Sequence, residues 1–513
     1  MRLIAPVITS TALVAAIVAT AAVTGSSVSA TAAPTKADGV AMNVIYLLGD
    51  GMGRTHVTAG RQRFFGASGK MVMETLPAAG HVSTYAVERK SGQPGTADFQ
   101  PNLVTDSASA ATAWSSGVKT YNSALGVDAK GVVVPTLMEM AKKDGFRTGN
   151  VTTSEITDAT PAGQMSHVLA RGCQGPVYSA AACQDTKITG DALPTSDVRV
   201  TPVADQIARN GTADVILGGG LGRFDAPDEI ALTKNGYSVL GSIANQKPAT
   251  EKDLESANSG KVFGLFNKGN LTVEKAKQDK PLAPEAQEPS LPEMTGKAIE
   301  LLSSKSTKGN NSNSSGSNSR GSNSKGFYLQ VEGALIDKRS HANDAAQTLA
   351  EIKAFDDAVA VALEFAKKDG NTMVIVTADH ECAGFNIIEK GTFTNAEAAT
   401  PPGNVDSGNT ANNSTPTRPR NTLSPTRSTG IVNGSGSADA ANFGPATFHT
   451  PDDPAGTKDG SPEASLWLSY LSGNHTGADV PVYAYGRGSE QLQGTIDNTK
   501  LFDIVGRALK VVR

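Results

Sequence analysis

The sequence predicts an α/β protein, a three-layer α/β/α sandwich with a large, mostly parallel central sheet and a site at the carboxyl ends of its strands. Apolar runs with the composition of buried strands end in glycine, acidic residues or histidine at residues 43–48, 213–220 and 372–380. Long helical patterns separate such runs, as in residues 348–370, where Gly370 is the expected stop.

The composition is that of an ordinary globular protein. The chain has 513 residues, 39% of them hydrophobic and 19% charged, which suits one large α/β domain with excursions or two domains. The formal net charge of -4 implies no surface for a polyanion, so nucleic acid is not expected as a partner.

Residues 1–33 have the pattern of a Sec-type signal peptide, with Arg2, a short apolar run and small residues at the end. A retained membrane anchor is the alternative, but the apolar core is short and polar residues follow it. We therefore expect a secreted protein, extracellular or in the cell envelope, with no stable membrane span once the peptide is removed. The predicted domain covers residues 40–513.

The strand-like run 43–48 leads into the turn G-D-G-M-G, which contains Asp50. This turn places Asp50 at the carboxyl end of a sheet, where α/β folds bind their ligands, although an aspartate there can also serve only to form the turn. A dinucleotide site is excluded because the glycine spacing differs from G-x-G-x-x-G and an acid stands where a pyrophosphate would lie.

The stretch V-T-D-S-A-S-A-A-T-A-W contains Ser107 where an extended segment gives way to an alanine-rich helix. The unpaired N–H groups of a helix start favour anions, so an attacking serine oxygen or a bound phosphate would be stabilised there. The alternative is that Ser107 or Asp106 only caps the helix.

A helix is predicted around residues 136–143 and a strand at 148–153. Asp158 and Thr160 then precede a proline that suits the first turn of a helix. Further along, Arg171 offers a planar fork for phosphate or carboxylate oxygens, although a lone arginine is usually a solvated surface residue. His167, in the same segment, is interpreted as structural.

Cys173 and Cys183 bracket a short polar loop beside Arg171. In an oxidising compartment they can form a disulfide, and a zinc site is the rival interpretation, although no second pair of ligands follows at suitable spacing. Cys382, in D-H-E-C-A-G, is expected to be a free buried thiol.

After the strand at 213–220, a charged, helical-looking stretch extends to about Ser303. Residues 302–325 have no apolar side chain beyond Leu302 and are interpreted as a disordered insertion. Residues 394–462 are rich in Asn, Thr, Ser, Pro and Gly and are interpreted as a second, partly disordered insertion.

Candidate metal ligands stand at or after strand-like runs in the second half of the chain. One set comes from F-Y-L-Q-V-E-G-A-L-I-D-K-R-S-H, in which an acid and a histidine four residues apart share a helix face. The candidates are Glu332, Asp337, His341, Asp379, His380 and His475. Imidazoles with carboxylates suit zinc, and carboxylate and hydroxyl oxygens suit magnesium, so the inventory predicts a multi-metal site for oxygen chemistry.

Seven segments together resemble the bacterial alkaline phosphatases. They are L-L-G-D-G-M-G, V-T-D-S-A-S-A-A-T-A-W, I-T-D-A-T-P, H-V-L-A-R-G-C, V-E-G-A-L-I-D-K-R-S-H, V-T-A-D-H and N-H-T-G. They occur in the order of that family and extend over residues 43–486, interrupted by the two insertions.

The resemblance implies a role for each matching residue. Ser107 would be the nucleophile that becomes phosphoserine, and Arg171 would bind two phosphate oxygens. The implied metal ligands are Asp337, His341 and His475 for one zinc, Asp50, Asp379 and His380 for a second zinc, and Asp50, Thr160 and Glu332 for one magnesium. Asp158 and Lys338 match positions that contact a magnesium-bound water and, through water, the phosphate; Asp and Lys at these positions favour magnesium.

The implied activity is hydrolysis of small-molecule phosphate monoesters at alkaline pH. A sulfatase of the same fold would need a C/S-x-P-x-R segment, which the Ser107 stretch lacks, whereas a same-fold phosphodiesterase stays an alternative. A non-catalytic phosphate- or metal-binding protein is the other alternative, but it would need no serine at the edge of the sheet. The family is commonly dimeric, so a homodimer is compatible with the resemblance.

Overall fold

The computed structural model describes residues 43–258, 260–304, 325–391, 409 and 445–512. All of these residues belong to one unit, residues 39–513. The predicted signal peptide and most of the two predicted insertions lie outside the described residues. No helix in the described ranges is both long enough and apolar enough to cross a membrane.

The described strands and helices alternate along most of the chain. The strands are β1 Asn43–Gly49, β2 Ala78–Ser83, β3 Ala86–Val87, β4 Pro101–Asn102, β5 Arg147–Glu155, β6 Val215–Gly219, β7 Tyr237–Leu240, β8 Lys261–Leu265, β9 Phe327–Gly333, β10 Thr372–Thr377, β11 Glu381–Cys382, β12 Asn386–Ile388, β13 Ala446–Phe448, β14 Leu466–Ser469, β15 His475–Thr476, β16 Val480–Tyr485 and β17 Gly494–Asp497. The α-helices are α1 Arg54–Phe65, α2 Ser107–Ser116, α3 Leu137–Lys143, α4 Ala159–Ala162, α5 Ala180–Cys183, α6 Thr186–Thr189, α7 Val203–Asn210, α8 Ala226–Lys234, α9 Glu251–Ser256, α10 Glu274–Asp279, α11 Leu291–Ser303, α12 Leu335–His341, α13 Ala345–Asp369 and α14 Thr499–Ala508.

Ten of these strands form one sheet in the order β17-β2-β16-β10-β1-β9-β5-β6-β8-β7. Neighbouring strands are parallel except where β16 pairs with β10 and with β2. Every residue of β1, β9 and β10 is buried, as expected for central strands that are covered on both faces. The predicted mostly parallel sheet is therefore confirmed.

Side chains of β9 show that helices cover both faces of the sheet. The ring of Phe327 packs on Phe365 of α13, with centroids 5.7 Å apart. The next residue, Tyr328, accepts a hydrogen bond at its hydroxyl from Gln164, which follows α4. Because consecutive strand residues point to opposite faces, α13 and α4 lie on opposite sides of the sheet, which confirms the three-layer prediction.

Two expectations differ from the structure. The charged stretch that ends near Ser303 contains two strands, β7 and β8, which extend the sheet beyond β6. These strands are short and β7 is only partly buried, so they lack the long apolar run that marked the central strands. In the second predicted insertion, residues 445–462 are described, and Ala446–Phe448 pairs with β14.

Candidate active site and metal centre

Ser107 is the first residue of α2 and is buried, with 3% of its surface exposed. Asp106 caps the helix, since its Oδ1 accepts a hydrogen bond from the Ser109 backbone N–H at 2.9 Å. The Oγ atom of Ser107 lies 3.2 Å from Nε2 of His380. The predicted helix start is therefore confirmed, and Asp106 is the capping residue, which leaves the Ser107 hydroxyl in contact with a histidine.

Asp50, Asp379 and His380 form a buried cluster, named the His380 group, in which one ligand atom of each residue lies within 4.8 Å of the others. Nε2 of His380 is 3.1 Å from Oδ2 of Asp379 and 3.7 Å from Oδ1 of Asp50. Burial, together with the charge of Asp379, raises the pKa of Asp50 well above its usual range. A cation at this position would offset that repulsion between carboxylates.

Asp337, His341, Cys382 and His475 form a second cluster, the His341 group, whose ligand atoms also lie within 4.8 Å of one another. The two imidazole Nε2 atoms are 3.1 Å apart. Nδ1 of His341 lies 2.7 Å from the Gly473 carbonyl oxygen, and Nδ1 of His475 lies 3.1 Å from that of Thr105. Because a carbonyl only accepts, each Nδ1 carries a proton and each Nε2 atom faces the cluster.

The two histidines of the His341 group have opposite pKa shifts, since the contact with Asp337 raises the pKa of His341. Burial lowers the pKa of His475 to about 4, so that its imidazole is neutral at neutral pH. Oδ1 of Asp337 is buried without a hydrogen-bond partner among the described residues. Two imidazole nitrogens and a carboxylate oxygen grouped in this way form the kind of donor set that binds a cation.

Asp158 holds the two cationic residues of the site. Its Oδ1 accepts a hydrogen bond from Arg171 Nη2 at 2.8 Å, and its Oδ2 accepts one from Lys338 Nζ at 2.6 Å. Burial alone would raise the pKa of Asp158. The positive charges of Lys338 and Arg171 have the larger combined effect and hold this pKa far below its ordinary value. Nη1 of Arg171 also donates to Oδ2 of Asp106 at 3.3 Å. The arginine is thereby fixed beside the start of α2.

Thr160 and Glu332 lie in the interior near the His380 group but belong to neither cluster. Oε2 of Glu332 accepts hydrogen bonds from the hydroxyls of Thr152 and Ser154. Burial raises the pKa of Glu332 to about 7. The Oγ1 atom of Thr160 is buried without a hydrogen-bond partner among the described residues. These oxygens are suited to a hard cation such as magnesium.

Three further predictions concern the cysteines and one histidine. Cys173 and Cys183 form a disulfide, so the rival zinc interpretation of this pair is wrong. His167 contacts the Gly126 carbonyl and Glu139, in agreement with a structural role. Cys382 is free and buried, as expected.

The structure brings most of the predicted residues together, and it adds contacts that the sequence did not reveal. The carboxylate of Asp106, which caps α2, also accepts a hydrogen bond from Arg171, 65 residues away in the chain. Cys382 is the second addition, as a member of the His341 group. The segment D-H-E-C offered one clue, because Cys382 is two residues beyond His380. No sequence pattern linked Asp106 to Arg171.

An α/β sandwich with carboxylates and histidines grouped at the carboxyl edge of its sheet defines a class of metal-dependent hydrolases. The alkaline phosphatase family model matches residues 41–511, and the chain belongs to this family. It is therefore a phosphatase, and the resemblance noted from its sequence is confirmed.

Known relatives agree with this assignment. The chain is 40% identical to the alkaline phosphatase of Escherichia coli over 369 residues, which are 67% of this chain and 70% of that protein. It is 31% identical to alkaline phosphatase H of Pseudomonas aeruginosa over 491 residues, 92% of this chain and 86% of that one. The solved alkaline phosphatase of the Antarctic bacterium TAB5 superposes with a TM-score of 0.60 at 25% identity, covering 92% of this chain and all of that one. A mutant of the TAB5 enzyme was solved with Mg bound.

Proposed function

We propose that this phosphatase hydrolyses small phosphate monoesters at alkaline pH through a phosphoserine formed on Ser107. The proposal depends on the position of the Ser107 hydroxyl. This hydroxyl lies at the N-terminal end of α2, and its Oγ atom is 3.2 Å from Nε2 of His380. A serine is a weak nucleophile until a neighbouring base or metal activates it. The His380 group is adjacent to Ser107 and can hold such a metal.

The donor sets support two zinc sites. Asp337, His341 and His475 would hold one ion, and Asp50, Asp379 and His380 the other. One buried carboxylate oxygen each of Asp50, Asp337 and Asp379 has no hydrogen-bond partner among the described residues, as expected for atoms that bind a cation. When bound, zinc ions lower the pKa of an oxygen nucleophile and neutralise charge on the attacking and leaving oxygens.

The third proposed ion is magnesium, held by Asp50, Thr160 and Glu332 with Asp158 nearby. The oxygen-only set matches the preference of magnesium, and the unpartnered Thr160 hydroxyl supports it. Asp158 is already engaged by Lys338 and Arg171, so we assign it a contact through water rather than direct ligation.

Arg171 would bind two oxygens of the phosphate with its planar fork. Ser107 Oγ then attacks phosphorus in line, and the bond from phosphorus to the alcohol oxygen breaks as the alcohol leaves with a proton. A water oxygen next attacks the phosphorus of phosphoserine, the bond to Oγ breaks, and the serine regains its proton. Two in-line displacements predict net retention at phosphorus. Inversion with a chiral phosphate ester would exclude the covalent step.

The first experiment is hydrolysis of a chromogenic phosphate monoester by the mature protein at alkaline pH. Activity should disappear after chelation and return only when zinc and magnesium are both added. Return with magnesium alone would contradict the zinc assignment. No activity in metal-replete protein would contradict the proposed reaction.

A same-fold phosphodiesterase is the rival within enzymes. A diester carries one negative charge less than a monoester dianion, so it has less need of the cations Arg171 and Lys338. Turnover of a chromogenic diester should therefore be far slower than that of the matched monoester. The reverse order would favour the diesterase.

The proposal also covers the secretion, domain boundaries and oligomeric state of the enzyme. Residues 1–33 would direct secretion and be removed, and residues 40–513 would form the phosphatase domain, with insertions at about 302–325 and 394–462. We also propose that the domain can form a homodimer, as members of the family commonly do. Mass spectrometry of secreted protein tests the cleavage, and analytical ultracentrifugation tests the dimer.

A further inference from the structure

Cys382 is the one member of the His341 group that has no role in the proposed function. Its thiol is free and fully buried. Its Sγ atom lies within 4.8 Å of ligand atoms from Asp337, His341 and His475. Thiolates are preferred zinc ligands, so the nature of this side chain bears on which metal the group binds.

The backbone fixes the thiol in this position. Cys382 lies in β11, opposite His475 of the antiparallel strand β15. Its N–H donates to the Gly51 carbonyl at 3.0 Å, and its Sγ lies 3.8 Å from the Asp337 carbonyl. A Cβ atom on Gly51 would lie 2.8 Å from Cβ of Cys382 and 2.7 Å from Oδ1 of Asp337, so only glycine leaves room for both.

A second observation points to a ligand at this place. Asp337, which is almost fully buried, belongs to the same cluster as the thiol, and its Oδ1 has no hydrogen-bond partner among the described residues. The imidazoles of His341 and His475 direct their Nε2 atoms there as well. A sulfur atom within 4.8 Å of donor atoms from these three residues is placed as a fourth ligand.

Redox chemistry explains the thiol less well. The other two cysteines of the chain are joined to each other, so Cys382 has no thiol with which to form an intramolecular disulfide. Its complete burial also separates it from thiol reagents in solution. A purely packing role is the remaining alternative, and it predicts no bond between sulfur and a metal.

We propose that Cys382 supplies a sulfur ligand to the metal ion held by Asp337, His341 and His475. The inference rests on the proposed metal site. When the bond from sulfur to the metal forms, the S–H proton leaves to water. This group then has four protein donors including sulfur and would bind a substrate or water oxygen as a fifth ligand, whereas the His380 group has three donors without sulfur, so the two sites differ in their preference for thiophilic ions.

Cobalt(II) is the probe for the test, because a thiolate bound to it gives a near-ultraviolet charge-transfer band. The metal-free full-length chain is titrated with cobalt(II) and its absorption is recorded. The wild type should show that band together with visible ligand-field bands. Cys382→Ser should lose the charge-transfer band and keep the visible bands. Since Cys382 is the only cysteine outside the disulfide, the band can be assigned to it.

Two variants locate the sulfur ligand. His341→Ala should lose the charge-transfer band although the thiol is intact, and Asp379→Asn, which alters the other group, should keep it. A charge-transfer band that persists in Cys382→Ser would overturn the proposal. If the wild type shows visible bands but no charge-transfer band, cobalt binds without sulfur. This result would overturn the proposed role of Cys382 and would still support the metal site. The absence of all cobalt bands would instead contradict the proposed function.

X-ray absorption of the zinc-loaded wild type serves if Cys382→Ser does not fold. A zinc–sulfur distance of about 2.3 Å supports the proposal, and a spectrum with only nitrogen and oxygen neighbours refutes it.

Discussion

Arg171 and Asp158 form a 2.8 Å ion pair, so the side chain assigned to phosphate binding is oriented by a carboxylate before any ligand arrives. Asp106 contacts the same guanidinium from the start of α2. The fork is thus held on two sides, which limits the side-chain entropy lost when phosphate binds.

Arg171→Ala should lower kcat/KM for a phosphate monoester by on the order of 10²-fold and weaken inhibition by inorganic phosphate. Arg171→Lys should recover only part of the loss, because an ammonium lacks the planar fork. The matched control is Arg223→Ala, which removes an arginine paired with Glu155 outside the proposed site. Equal losses in both variants would show that the effect of Arg171 is structural.

Ser107→Ala should reduce kcat by on the order of 10⁴-fold or more, as expected for loss of a covalent nucleophile, while inorganic phosphate still binds. Rapid-quench labelling with a radioactive substrate should detect phosphoenzyme only in the wild type. Ser116→Ala is the control on the same helix, since that hydroxyl donates to the Thr112 carbonyl at the far end of α2. Retained turnover in Ser107→Ala would refute the assigned nucleophile.

Glu351 lies outside the proposed metal site, and we expect it to make the stability of the fold depend on pH. It is buried in α13, and its Oε1 accepts a hydrogen bond from the Glu274 N–H at 2.7 Å. Burial raises its pKa to about 8. The folded state therefore holds this proton more tightly than the unfolded state does, and the resulting stability is present at low pH and is lost as pH rises towards 8.

Glu351→Gln replaces the neutral acid with an amide that can accept the same hydrogen bond. In urea unfolding of metal-free protein, the variant should match the wild type near pH 5 and exceed it by roughly 1–3 kcal/mol at pH 9. Glu364→Gln, on the exposed side of the same helix, is the control and should show no such difference between the two pH values. A constant difference for Glu351→Gln at both pH values would contradict the raised pKa.

The first predicted insertion can be tested by removal. Arg147 links its two ends: Nη1 donates to the Ser304 carbonyl at 2.8 Å, and the backbone N–H donates to the Gly326 carbonyl at 3.0 Å. Arg147 begins β5 and Gly326 precedes β9, so the ends lie at the amino edge of the sheet, opposite the site. Replacing residues 305–324 with a short Gly-Ser turn should leave kcat within about twofold of the wild type. A large loss would show that the segment contributes to catalysis.

The central parallel strands were the part of the fold most readily predicted from the sequence. The runs before Asp50 and Asp379 are buried on both faces, so they are continuously apolar and easy to recognise. Because these strands are parallel, the residues after them must meet at one edge of the sheet. Strands β7 and β8 were missed because they are short and stand between charged helices.

The contacts that set the chemistry of the site were less accessible from the sequence. The pairing of Asp106 with Arg171 brings the start of α2 to a residue 65 positions further along the chain, and such a long-range contact leaves no local pattern. The placement of Cys382 depends on β11 and β15, which have only two residues each. Tertiary structure alone decides such contacts, whereas local sequence decides where a helix such as α2 begins.

Gly51 lies between the two ligand groups of the proposed metal centre. Its N–H donates to Asp379 of the His380 group at 3.0 Å, and its bare Cα faces Asp337 and Cys382 of the His341 group. The Gly51 main chain thus stands between the two groups at this point, while the rings of His380 and His475 stack directly on each other across the groups, with centroids 3.6 Å apart. If each group holds an ion, as proposed, part of the span between the attacking and leaving oxygens would be set by the main chain at Gly51, which no side-chain rotation can alter.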